Sequence, residues 1–361
     1  MAGGTEKLVT VRDIARALGV STGTVDRALH GRRYVNRITK LKVLQKAKEL
    51  GYRPNLAARF LSTRRELHIS VNIPTEIASF FDLIQKGIED EAESAAASGI
   101  KLSFRRFPRL GIGEEEALEA ALEARVDGII LVPGHPGPLK SLIRRAKRAN
   151  IPVVCVATDA PHTDRLTVVS IDPFASGSLA GELIARFLGG AGTVAIATGD
   201  LAVSDHAQKF EAFSKVTASL FPKIHLLPIV ETHDNDAEAY EKFRDLLRRQ
   251  PGMSAVYVAT SNSLPILRAL DEFGYLGRVT LITTDLFPEL IDRIRCGHVT
   301  ATIYQRPRSQ GLMAFRSLYK FVTEGACPTG PIRLAPHIVL RGNLEFFLSQ
   351  EPLNSSENHS V

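Results

Sequence analysis

The chain has 361 residues, more than one compact core holds, and so predicts two or three domains. Its 44% apolar and 23% charged residues are those of an ordinary soluble globular protein, and no apolar stretch nears the roughly 20 residues of a membrane helix. The net charge of +6 is uneven: residues 1–65 carry fifteen Lys and Arg against four Asp and Glu, net +11, and the remainder is net −5, so a cationic module that reads as a polyanion binder is joined to a mildly acidic body.

The module opens with Val11 to Leu18, where Val11, Ile14, Ala15 and Leu18 recur at helical spacing. Thr10 can cap this helix, and Gly19 supplies the tight turn after it. Ser21 caps a second helix, Thr22 to Leu29, with Val25 and Leu29 expected inward. A three-residue turn between two short helices predicts a helix-turn-helix. A third helix runs from about Arg37 to Leu50, with Leu41, Leu44 and Leu50 as its expected apolar face. Pro54 disfavours helix at Arg53, and Asn55 can cap a further short helix over Leu56-Ala-Ala-Arg-Phe-Leu-Ser62. Two turns of helix are marginal alone, which suits a segment that folds against DNA.

Val9-Thr-Val-Arg-Asp-Ile-Ala-Arg-Ala-Leu-Gly-Val-Ser-Thr-Gly-Thr-Val-Asp-Arg-Ala-Leu-His-Gly31, followed by Gly51-Tyr-Arg-Pro-Asn-Leu-Ala-Ala-Arg-Phe-Leu61, resembles the LacI family of bacterial transcription regulators. The resemblance implies a recognition helix in the major groove and paired hinge helices in the minor groove. Carried over by position, Thr22, Gly23 and Arg27 sit where the family reads bases. Thr10, Ser21, Thr24, Asn36 and Thr39 sit where it grips phosphates. Ala58 and Arg59 line the minor groove beside Asn55, and Leu61 wedges a base step. The chemistry agrees, since Arg pairs bidentately with guanine and an apolar side chain can open a step. Gly23 offers no side chain for readout. Asp26 has two readings: it orients Arg27 or accepts from cytosine, or it forms a local ion pair.

From His68 onward, apolar strands alternate with amphipathic helices. The first set runs through strands at His68–Ile73, Lys101–Phe104, Gly128–Val132, Val153–Ala157 and Val168–Ile171. The second has strands at Thr193–Ala197, Ile224–Leu227, Ala255–Val258 and Thr280–Thr283. Such alternation predicts two doubly wound parallel-sheet lobes with a ligand cleft at their carboxyl strand ends. This half is similar to the type I periplasmic sugar-binding fold. The likeness implies ligand contacts from Phe80, Phe81, Asp159, His206, Asn262, Asp285 and Gln305, all just beyond strand ends, with Lys209 three residues after His206. Carboxylates and amides suit hydroxyls, and an aromatic face covers a sugar ring. Each also has a plainer reading: core for the phenylalanines, turn caps for the aspartates, a hinge hydrogen bond for Gln305.

The expected domains are a helix-turn-helix head over 8–53, a hinge over 54–65, the two-lobed body over 66–348, and a disordered tail over 349–361. Three cysteines without ligand spacing, and an N-terminus without an apolar core, fit a reducing cytoplasm. No zinc site, other metal or cofactor is expected, and no membrane partner. No H-E-x-x-H or phosphate loop occurs. Gly189-Gly-Ala-Gly-Thr193 precedes a strand, and Gly177-Ser-Leu-Ala-Gly181 does not fit a nucleophile elbow. The expectation is therefore a non-enzymatic, cytoplasmic, homodimeric repressor that binds an inverted-repeat operator and senses a sugar or polyol. The alternative is a sugar-binding protein or enzyme of similar two-lobed fold without a regulatory role.

Overall fold

A computed structural model describes residues 9–29, 35–50, 66–95 and 99–350. The hinge residues Asn55, Ala58, Arg59 and Leu61 lie outside this set, as do residues 351–361 of the tail.

The head consists of α1 (Val11–Leu18), α2 (Thr22–Leu29) and α3 (Arg37–Glu49). The Thr10 N–H and hydroxyl donate to the Asp13 carboxylate at 2.9 and 2.7 Å, closing a capping box at α1. Gly19 is left-handed at φ 64°, and the chain turns there. Ser21 Oγ accepts from Thr24 N–H at 3.1 Å, and Asn36 Oδ1 from Thr39 N–H at 2.8 Å, so α2 and α3 each start at a side-chain cap. The core is Ile14, Ala15, Val25, Ala28, Val43 and Ala47, with Val11, Leu18 and Leu29 packed against it. The leucine face expected for α3 is not the buried one: Leu41 is 61% and Leu44 42% exposed. The i, i+4 pair Val43 and Ala47 faces α1 and α2 instead, because small side chains let short helices approach.

The body has two parallel-stranded lobes. The first sheet contains β1 (Leu67–Pro74), β2 (Ile100–Phe107), β3 (Gly128–Leu131), β4 (Val153–Val156), β5 (Thr167–Ile171) and β12 (Ile332–Leu334), in the order β12-β5-β4-β3-β1-β2. The second contains β6 (Ala191–Thr198), β7 (Lys223–Leu226), β8 (Val230–Glu231), β9 (Ala255–Val258), β10 (Thr280–Thr284), β11 (Ala301–Tyr304) and β13 (His337–Val339). Its order is β13-β11-β10-β9-β6-β7, with β8 beside β6. The central strands are fully buried, which explains their unbroken apolar runs. In both sheets the order reverses at the first strand, the switch point where such sheets bind ligands.

The chain crosses between lobes after β5, after β11 and between β12 and β13. These late strands carry no periodic signal at three residues each, and β13 runs antiparallel to β11.

The connecting helices approach their neighbours closely. After β5 comes α7 (Pro173–Phe187), and after β6 comes α8 (Ser204–Leu220). A Cβ on Gly177 of α7 would stand 2.1 Å from the Lys209 carbonyl oxygen of α8. The first lobe repeats the device where α4 (Ala78–Ser94) meets α12 (Pro307–Glu324). A Cβ on Gly87 would stand 2.0 Å from the Arg308 oxygen, and one on Gly311 2.0 Å from the Ile84 oxygen. The glycines of Gly177-Ser-Leu-Ala-Gly181 thus serve helix packing.

Candidate functional site

In the body, loops from both lobes converge on one cavity of about 40 Å³. From the first lobe, α4 brings Phe80 and Phe81, both buried, with ring centroids 5.1 Å apart in an edge-to-face pair. The end of β4 brings Ala157 and Thr158. From the second lobe, the first turns of α8 bring Asp205, His206 and Lys209. The loops after β8, β9 and β11 bring Asp234, Thr260 with Ser261, and Gln305.

Backbone strain gathers here too. Ile77, Ala157, Asp234, Asp285 and Arg306 all have left-handed φ between 54° and 69°, and each lines the cavity or adjoins a residue that does or bonds to one. Non-glycine residues hold such angles only where surrounding contacts impose them, and such places cluster at binding sites.

A buried polar chain organises the second-lobe wall. Lys209, 1% exposed, places Nζ 2.6 Å from Asp205 Oδ2 and donates to Gln305 Oε1 at 2.8 Å. Gln305 Nε2 donates to Asp285 Oδ2 at 2.5 Å, and Gln305 N–H to Asp285 Oδ1 at 2.9 Å. The Ser261 hydroxyl donates to the same carboxylate. Burial pushes the Asp285 carboxyl up to about 6, against the downward pull of the bonds from Ser261 and Gln305 and of the Lys209 charge. Two buried atoms of lining residues, Thr158 Oγ1 and Asp205 Oδ1, have no hydrogen-bond partner among the described residues.

Of the seven residues expected to touch ligand, Phe80, Phe81, His206 and Gln305 line the cavity. Asp285 stands one layer behind it, bonded to Gln305 and Ser261. Asp159 is taken up by Arg165, whose Nη2 donates at 2.7 Å, and faces a smaller recess with Arg333. Asn262 is buried beside Thr260, its N–H 3.2 Å from Thr260 Oγ1, but does not line the cavity. Asp205, Asp234, Thr158, Thr260 and Ser261 were not foreseen. Thr260 and Ser261 could have been found as the second and third residues after β9, and Asp205 as the i−4 partner of Lys209. Asp234 follows a two-residue strand that leaves no pattern.

In the head, Thr22, Gly23 and Arg27 lie on the exposed face of α2, opposite the buried Val25 and Ala28. Arg27 Nε donates to the Gly23 carbonyl at 3.1 Å, and Asp26 is half-buried. Thr10, Ser21 and Asn36 cap the three helix starts, and Thr24 and Thr39 donate their N–H groups to the Ser21 and Asn36 caps.

A helix-turn-helix module joined to a two-lobed α/β body with a cleft between its sheets defines a ligand-sensing DNA-binding protein. Residues 10–55 match the family described as bacterial regulatory proteins, lacI family, and residues 69–326 match the periplasmic binding protein domain. The chain belongs to the periplasmic binding protein domain family over most of its length, and its head is a DNA-binding domain of the LacI family. Catabolite control protein A of Priestia megaterium is 26% identical over 343 residues, 92% of this chain and 98% of that one. Its namesake from Staphylococcus epidermidis is 34% identical over 165 residues, 45% of this chain and 48% of that one. GanP, a glucose-galactose binding protein from Geobacillus stearothermophilus, superposes with TM-score 0.71 at 25% identity, covering 78% of this chain and 99% of that one. A solute-binding protein from Burkholderia graminis, solved with D-arabinose, gives 0.72 at 23%, covering 78% and 97%.

Proposed function

We propose that the protein is a cytoplasmic, homodimeric repressor that binds an inverted-repeat operator, and that a sugar or polyol in the cleft controls its grip on DNA. The observation that carries the effector reading is the cleft's chemistry. Thr158 Oγ1 from one lobe and Asp205 Oδ1 from the other are buried polar atoms without a partner among the described residues, and both belong to residues lining one cavity. A molecule with several hydroxyls satisfies both at once, and the Phe80–Phe81 pair offers an apolar wall. GanP and the Burkholderia protein, named for glucose-galactose binding and solved with D-arabinose, support that class. The relatives' name, catabolite control, supports a regulator of carbon use.

A cavity of about 40 Å³ has room for a few waters and not for a sugar ring, so the lobes must open to admit one. The effector then favours the lobe arrangement it fits best, and two-fold symmetry carries that arrangement to paired heads on related half-sites. In this reading Thr22 and Arg27 address bases, and Thr10, Ser21, Thr24, Asn36 and Thr39 address phosphates. Asn55, Ala58, Arg59 and Leu61 address the minor groove. The reading assigns no catalytic step.

Calorimetry with a panel of pentoses, hexoses and polyols tests the cleft. A binder is expected, and Asp205→Ala is expected to weaken it about ten- to a hundredfold, the loss of a charge-assisted bond of roughly 1.5–3 kcal/mol. A sugar bound equally well by wild type and Asp205→Ala would remove this cavity as the effector site.

A further inference from the structure

At the rim of the cleft a second group of side chains meets, none of them used in the effector reading. Ligand-capable atoms of Asp200, Glu231 and His233 all lie within 4.8 Å of one another. His135 joins from the first lobe, its Nε2 2.8 Å from Asp200 Oδ2. The His135 side chain is 35% exposed and that of Asp200 20%, so the group is reachable from solvent yet partly shielded.

The four are held from behind. His135 N–H donates to the buried Glu114 carboxylate at 2.7 Å, and the neighbouring Gly134 N–H does so at 2.5 Å. Gly111 leaves room for the imidazole, since a Cβ there would stand 2.4 Å from His135 Cε1. Asp200 Oδ1 accepts from Ala202 N–H at 2.7 Å, and Glu231 Oε2 from Leu201 N–H at 2.9 Å. His233 Nδ1 lies 2.9 Å from Glu238 Oε1. Glu114 thus fixes the backbone at His135, while at His233 a carboxylate stands behind the imidazole, the arrangement that orients metal-binding histidines. Among the described residues, the ion-pair partner of Asp200 is His135 rather than a lysine or arginine. Two carboxylates thus face each other with imidazoles as their neighbours.

We propose that His135, Asp200, Glu231 and His233 form a site for a divalent transition-metal ion of the zinc class, joining the two lobes across the cleft rim. Two imidazoles and two carboxylates suit zinc and disfavour calcium or magnesium, which take oxygen ligands. With bonds of about 2.0 Å, neighbouring ligand atoms of a tetrahedral zinc stand about 3.3 Å apart. The Asp200, Glu231 and His233 atoms lie within 4.8 Å of one another and His135 reaches the group through Asp200 at 2.8 Å, so an ion would draw the four together. The ion is coupled to the cleft through the backbone. His233 and Asp234 are consecutive left-handed residues, φ 47° and 54°, and Asp234 lines the cavity, where it accepts from Thr260 at 2.5 Å. Ligands from both lobes mean that the ion favours the closed arrangement.

The test uses zinc itself, so it reads the metal site whether or not the effector assignment holds. Full-length protein freed of metal with a chelator is titrated with zinc chloride by calorimetry. One zinc per chain is expected. His135→Ala and His233→Ala are each expected to weaken binding at least about tenfold, and the double variant to abolish it. Cobalt in place of zinc should give the intense visible bands of a tetrahedral site in the wild type and not in the double variant. Melting curves in chelator check that the variants fold. If the double variant does not, the conservative Glu231→Gln should show the same weakening. No bound zinc, or zinc held with unchanged affinity when both histidines are replaced, would overturn the site. Weakening by His233→Ala with wild-type affinity in His135→Ala would overturn the bridge between lobes.

Discussion

Asp285 shows how a residue's place can be read from sequence while its neighbours cannot. Its place after an apolar strand is legible, because the strand end fixes it at the cleft. Its layer is not, because whether a carboxylate meets ligand or a glutamine depends on Gln305, twenty residues further on, and on Ser261. The same holds for Asp159, whose partner Arg165 returns only through a loop. Burial of Asp285 has a measurable consequence. An unfolded aspartate titrates near about 3.9, and the folded one at about 6, so the folded chain holds the proton more tightly. The resulting stability is fully present below about pH 4 and is lost as pH rises through about 6, roughly 3 kcal/mol in all. Asp285→Asn, which cannot ionise, should lack this loss. The expected result is that wild type falls in melting temperature relative to Asp285→Asn between about pH 4 and about pH 6.5 and runs parallel to it above. Parallel curves would mean that Asp285 is charged throughout.

At the scale of elements, the long central strands and amphipathic helices were legible because their periodicity is strong. Three features were not. α3 has two candidate apolar stripes, and only packing decides for Val43 and Ala47 over the leucines. β8, β12 and β13 are two or three residues long and exist because a neighbouring strand edge pairs them. The glycines of α7 read as a possible motif, and only the facing α8 backbone shows why they lack a Cβ. Gly177→Ala should therefore destabilise the body by about 1–3 kcal/mol, since the new methyl meets a carbonyl that cannot swing away. Gly252→Ala is the contrasting case. Its surroundings are open and its φ is not left-handed, so alanine should stabilise by about 0.4–1 kcal/mol through the unfolded chain. Urea midpoints of both variants check this pair, and equal effects would mean that the α7–α8 contact is looser than described.

At the scale of the molecule, a basic head and a two-lobed body were legible from charge asymmetry and strand–helix alternation, because both are sums over many residues. The coupling between them is a property of an equilibrium, which neither pattern encodes. A ligand can move that equilibrium only by its differential affinity for the two arrangements, and the effect is reciprocal. The direct measurement is operator affinity by fluorescence anisotropy, on a site selected from random DNA, with and without a sugar shown calorimetrically to occupy the cleft. The account predicts a change in operator Kd of about 5- to 150-fold, and the same factor in sugar affinity when operator is bound. A sugar that saturates the cleft while the operator Kd stays constant would contradict it.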